Sequence, residues 1–154
     1  VTQCEVFSFQ CSAADSSVAF LNTENFNLKT AERSEAMYQS FEDLDVWKRA
    51  CKLAVQIYQL LRDSRDYALK DQMQRASVSI ASNIAEGSER GGRDFERFLR
   101  IARGSAAELR TQCYIASKVG MLTGEQMTPL VAELKEISKM LTGLARSLNK
   151  STEN

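Results

Sequence analysis

Arg93, Arg97, Arg100, Arg103 and Arg110 crowd into one stretch of the chain, and arginine is the side chain whose planar fork best matches a phosphate. At helical spacing Arg93, Arg97 and Arg100 share the face opposite the apolar one. Arg103, Arg110 and Tyr114 form a second row along its flank. The chemistry open to this pattern is phosphate binding, with Tyr114 as a stacking surface for an unpaired base. On a single copy a plainer account competes, a solvated face diluted by Asp94, Glu96 and Glu108 and paired at i,i+4 as Glu89 to Arg93 or Glu96 to Arg100. Phosphate binding therefore needs several copies whose stripes act together.

Other chemistries are short of residues. Histidine is absent, which removes the Ser-His-Asp and Cys-His constellations and the Glu-x-x-His ligands of di-iron bundles. Cys4, Cys11, Cys51 and Cys113 contain no CxxC pair, so structural zinc is not expected. Cys51 and Cys113 fall on apolar helix faces, where a free cysteine is a small buried hydrophobe. Glu86 and Glu108 could in principle pair for acid/base work. With Arg75 and Arg110 available, a structural ion-pair or hydrogen-bond network is the preferred reading. Gly87, Gly91 and Gly92 lack the lysine and preceding strand of a phosphate-cradling loop and serve a turn instead. No catalytic residue, cofactor or metal ligand is assigned, and the chain is read as non-enzymatic.

The elements that carry these residues are helical. One proline and seven glycines in 154 residues suit long helices, and 44% hydrophobic with 26% charged residues suits a single domain with a real core. Whole-chain charge is zero, but residues 1–42 hold six acids against two bases and carry −4, leaving a body of +4. No run approaches a membrane span and no secretory signal pattern opens the chain, so a cytoplasmic protein with reduced thiols is expected.

Residues 1–40 hold no period for long and are read as a leader, poorly ordered or loosely docked; Met37, just before the first convincing helix, is a candidate biological start. Residues 41–150 are read as an all-α, antiparallel up-down-up-down four-helix bundle. Ser40 and Asp43 have capping-box spacing, and Leu44, Trp47, Cys51, Ala54, Tyr58 and Leu61 predict one inward face to about Arg62. The second helix is expected from Tyr67 or Ala68 to Glu86, with Leu69, Met73, Ala76, Ile80 and Ile84 inward and Gly87 as its left-handed C-cap. Small residues surround most of it, which hints at subunit contact, and Asn83 beside its apolar stripe must find a partner. A third helix from about Arg93 to Val119 turns Phe95, Phe98, Leu99, Ala102, Ala106, Leu109, Cys113 and Ala116 inward, and Gly120 closes it. The fourth starts either at a Thr123–Gln126 capping box or at Thr128 with Pro129 in the first turn. Its seam is Leu130, Leu134, Ile137, Leu141, Leu144 and Leu148, and residues 147–154 are expected to fray.

Phe41-Glu42-Asp43-Leu44, Val46-Trp47, Arg75-Ala76, Ser79-Ile80 and the block Ser82-Asn83-Ile84-Ala85-Glu86-Gly87 carry a resemblance. It continues through Phe95-x-x-Phe98-Leu99, Gly104-Ser105-x-x-Glu108-Leu109-x-Thr111-Gln112 and Met140-Leu141-x-Gly143-Leu144. Together these resemble the bacterial four-helix bundle proteins encoded by intervening sequences of large-subunit ribosomal RNA genes, over about Phe41 to Leu148. Ala81 departs from the proline usual there. The resemblance implies a homopentamer around an axial channel, an association with RNA and no catalytic residue. The architecture is also similar to the accessory bundle of diversity-generating retroelements.

Two functions follow as expectations. The first is an oligomeric RNA-associated scaffold that binds structured RNA through Arg93, Arg97 and Arg100, with Arg103 and Arg110 as second choices where assembly leaves them exposed. The second is a protein-interaction or self-assembly module without nucleic acid. Arg75, Asn83, Glu86, Gly87, Glu108, Gln112 and Tyr114 are the expected oligomer or structural motif.

Overall fold

The computed structural model describes residues 40–152; the leader lies outside them except for Ser40. Ser40 does cap, but what it caps is a 3-10 turn, Phe41–Asp43, its hydroxyl accepting from the Glu42 amide at 3.3 Å. The capping box with Asp43 does not form. Helix α1 (Asp45–Leu60) begins after Leu44, whose extended backbone supplies no side-chain cap. Phe41 and Trp47 meet edge to face at 5.2 Å and fasten the turn to the helix.

The inward face of α1 is Val46, Ala50, Leu53, Ile57 and, at its end, Leu61; Leu61 is buried as expected, while Trp47, Cys51, Ala54 and Tyr58 give way to the residues one position earlier. Trp47 packs at the edge of the core, Cys51 and Ala54 are half-buried, and Tyr58 is 48% exposed. Both stripes have helical spacing. The aliphatic set wins because it buries the larger apolar area without a phenol to satisfy.

Helix α2 (Tyr67–Arg90) starts at Asp66, whose carboxylate accepts from the Leu69 amide at 3.1 Å. Met73, Ala76, Ile80 and Ile84 are buried as expected, together with Ser77. Its end is not Gly87. The helix continues a further turn to Arg90 and stops at Gly91, where φ reaches 67° and the amide bonds back to the Gly87 carbonyl. Gly87 is buried within the helix, and a Cβ built on it would lie 2.6 Å from Phe98 Cβ and 3.0 Å from Phe95 Cδ2. Its lack of a side chain lets α2 approach α3.

Helix α3 (Gly92–Lys118) buries Phe95, Leu99, Ala102, Ala106, Leu109, Cys113 and Ala116; Phe98 is only half-buried. It ends as the sequence predicts, at Gly120 with φ 77°: the Met121 amide bonds the Ala116 carbonyl and the Gly120 amide that of Ser117. This is the paired C-terminal motif that glycine favours. Helix α4 (Gly124–Thr152) settles the two starts in favour of the earlier one. Thr123 Oγ1 accepts from the Gln126 amide at 3.2 Å, and Gln126 Oε1 from the Thr123 amide at 2.9 Å. Pro129 sits inside the helix, while Thr128 donates its hydroxyl to the Gly124 carbonyl at 2.8 Å instead of capping.

Consecutive helices pack on one another, and α4 returns to α1, closing an up-down-up-down bundle. α2 with α3 forms the largest interface and α1 with α4 the smallest of the ring. That last seam carries a polar clasp: Arg49 donates through Nε and Nη2 to both carboxylate oxygens of Glu133, at 2.7 and 2.6 Å. The guanidinium holds the Glu133 carboxyl below its ordinary range against the opposing effect of burial, and the Arg49 pKa rises in turn.

Two stability outcomes follow. Gly87→Ala should destabilise by about 1–3 kcal/mol through overpacking, despite a helix-propensity gain of up to about 1 kcal/mol, because Phe98 Cβ is fixed to its backbone and cannot swing away. Gly104→Ala, where a Cβ meets nothing within 4 Å, should stabilise, and urea midpoints rank the two variants. The Glu133 clasp has a depressed folded pKa, so its contribution is present above the unfolded value and fades as pH falls from about 4.5 through the folded value. Glu133→Gln should therefore lose about 0.5–1 kcal/mol at pH 7 and converge on wild type in acid, as urea titrations across pH would register.

Candidate nucleic-acid interface

The outer face of α3 holds Arg93, Arg97 and Arg100, all exposed. Arg100 is committed to Glu96 on the same helix, in the i,i+4 pair expected from sequence. The Glu89–Arg93 pair is not formed among the described residues; Glu89 ends one helix and Arg93 begins the next, across Gly91 and Gly92. Arg90 instead takes the glutamate at i−4, Glu86, at 2.7 Å, and lies 5.1 Å from the Phe98 ring centroid.

The flanking row meets different company. Arg103 and Arg110 line a groove between α3 and α4 whose opposite wall brings Lys135, Lys139 and Arg146. Ser138, Thr142 and Gly143 complete the lining, the groove encloses about 550 Å³, and no carboxylate is among its walls. Thr142 donates its hydroxyl to the Ser138 carbonyl at 2.8 Å, leaving a lone pair to accept from Arg103 Nη1 at 3.3 Å. That bond bridges the two antiparallel helices at the surface. Among the described residues, Lys139 alone of the five cations pairs with a carboxylate, Glu136 at 2.6 Å.

The groove runs on, past Lys135 and Lys139, into a second section lined by Tyr114, Met127, Pro129 and Val131. Tyr114 is 46% exposed there. Glu133 and Glu136 also border this section, but the first is clasped by Arg49 and the second by Lys139.

The α4 cations were not singled out from the sequence, although Lys135, Lys139 and Arg146 step by four and seven along one helix face. The spacing was a usable signal. What it lacked was the register that sets this face beside Arg103 and Arg110.

Glu86 and Glu108 do make structural bonds, but among the described residues of the chain they do not pair with Arg75 or Arg110. Arg75 pairs with Asp71 at 2.9 Å, Glu86 with Arg90, and Glu108 accepts from Gln112 Nε2 at 3.1 Å. Each carboxylate finds a partner one turn away on its own helix, which costs less ordering than reaching across. Asn83 does the same, donating to the carbonyl and hydroxyl of Ser79 at 2.7 and 3.0 Å, and Ser79 then meets Ser105 of α3 at 2.9 Å. Gln112 is buried, and its Oε1 has no hydrogen-bond partner among the described residues. Cys113 is fully buried, and desolvation pushes its thiol up to about 11; Cys51, half-buried, is raised for the same reason. Among the described residues no cluster of His, Cys, Asp or Glu is placed to hold a metal ion, and no helix is long and apolar enough to cross a membrane.

Fold and groove define a helical bundle with a cationic cleft. The chain matches the family model of the 23S rRNA-intervening sequence protein over residues 42–143, and it belongs to that family, which is not a known enzyme class. A crystal structure of a protein of unknown function from the S23 ribosomal protein family of Bacteroides thetaiotaomicron is similar to it, with a TM-score of 0.61 at 27% identity. The likeness covers 65% of this chain and 97% of that one. No curated protein matches the chain by sequence.

Proposed function

We propose that this protein is a non-enzymatic, oligomeric scaffold that binds RNA phosphates along the α3–α4 groove. One observation carries the reading: five cationic side chains from two helices line one section of the groove, and no carboxylate is among the residues lining that section. Lys139 is answered by Glu136, as Arg100 is by Glu96 on the outer face, and the other four keep a field of a single sign that focuses on a polyanion. The groove thus ranks ahead of the Arg93, Arg97 and Arg100 face as the contact surface. Membership of a family named for a ribosomal RNA intervening sequence makes RNA the polyanion of choice. A homopentamer would present five such grooves and multiply simultaneous contacts.

A protein-interaction module is the second reading. It draws on a different surface, the exposed Val55, Tyr58 and Val78 along the α1–α2 groove, and mass by light scattering with and without RNA separates the two.

The expected outcome for the first reading is specific. Filter binding of structured RNA by the Lys135→Ala, Lys139→Ala, Arg146→Ala variant should be weaker, with the slope of log K against log salt shallower by roughly 2. The Arg93→Ala, Arg97→Ala, Arg100→Ala variant should lose less. Equal affinity and slope for wild type and the groove variant would remove the groove from RNA binding.

A further inference from the structure

The groove has two chemically different ends, and that difference selects among nucleic acids. One end is cationic, from Arg146 and Arg103 to Lys135 and Arg110; the other is lined by the half-exposed Tyr114 together with Met127, Pro129 and Val131. Arg103 and Tyr114 lie on one helix, eleven residues and so roughly 16 Å apart. The ring is therefore in line with the cations, on the helix that carries Arg103 and Arg110. Of the two carboxylates beside the ring, Glu133 is held by Arg49 and Glu136 by Lys139, and Arg103, Arg110, Lys135 and Arg146 are the groove cations left for phosphates.

The groove is open along its length and walled by two packed helices, and a duplex laid on it would turn only part of its phosphates to the cations. The faces of paired bases are also covered by their neighbours in the stack, so Tyr114 can receive only an unpaired base.

We infer that the groove takes a single-stranded segment of RNA, its phosphates along the Arg146 to Lys135 end and one unpaired base stacked on Tyr114. This rests on the reading of the groove as a phosphate site and adds the class of RNA it selects. The tyrosine marks the end of the strand at which the cations run out.

The test compares a non-self-complementary 12-nucleotide RNA with the same strand annealed to its complement, using the full chain. The single strand should bind at least tenfold more tightly. Tyr114→Ala should weaken single-strand binding roughly 5- to 150-fold with no change in salt slope, because no phosphate contact is lost. Tyr114→Phe, which keeps the ring, should bind as wild type. The half-exposed position makes both variants compatible with folding, and unchanged thermal melts by circular dichroism check this. Equal binding of duplex and strand, or a neutral Tyr114→Ala in a protein whose RNA affinity still falls with the groove lysines, would overturn this inference and leave the phosphate site standing. Absence of any salt-dependent RNA binding by wild type would overturn both.

Discussion

The close approach of α2 and α3 at Gly87 is the constraint on which the rest of the bundle depends. With 2.6 Å between a hypothetical Cβ and Phe98 Cβ, only glycine admits the observed distance. The approach lets Phe95 bury fully and brings the Ser79 and Ser105 hydroxyls together at 2.9 Å further along the same interface. Serine, alanine and glycine on α2 thus have an intramolecular reason to be small.

Once α3 is fixed against α2, its other flank is fixed too. Arg103 and Arg110 then face α4 at the register that the Arg103–Thr142 bond records, and the cations of both helices converge on one groove. Function in this account is a consequence of helix register. The surface is assembled from side chains that are far apart in sequence and individually unremarkable.

How much of this the sequence disclosed depends on whether one helix or two were needed to see it. The inward faces of α2, α3 and α4 were legible at their centres, where aliphatic residues leave a single choice of stripe, whereas Leu69, Phe98, Leu144 and Leu148 towards the helix ends are half-buried and Val131 joins the core. In α1 two stripes share helical spacing, and Cys51, Ala54 and Tyr58 tolerate an edge position as well as a buried one; only packing decided. Gly87 read as a helix end because Ser88, Glu89 and Arg90 are polar, yet they form a solvent-side last turn before Gly91 with its positive φ. The same glycine is a stop in one context and a point of contact in another, and the sequence around it does not distinguish them. The groove was half visible, through Arg103, Arg110 and Tyr114. Its α4 wall required the tertiary register, because each of Lys135, Lys139 and Arg146 alone looks like an ordinary solvated residue between seam positions.

The most direct measurement of the central claim is lysine reactivity, read by mass spectrometry after brief acetylation with and without single-stranded RNA. Lys135 and Lys139 line the groove, while Lys48 and Lys52 are exposed on α1. The account predicts that RNA protects the first pair and leaves the second as reactive as before. Uniform reactivity of all four, or protection of Lys48 and Lys52 with Lys135 and Lys139 unchanged, would contradict it.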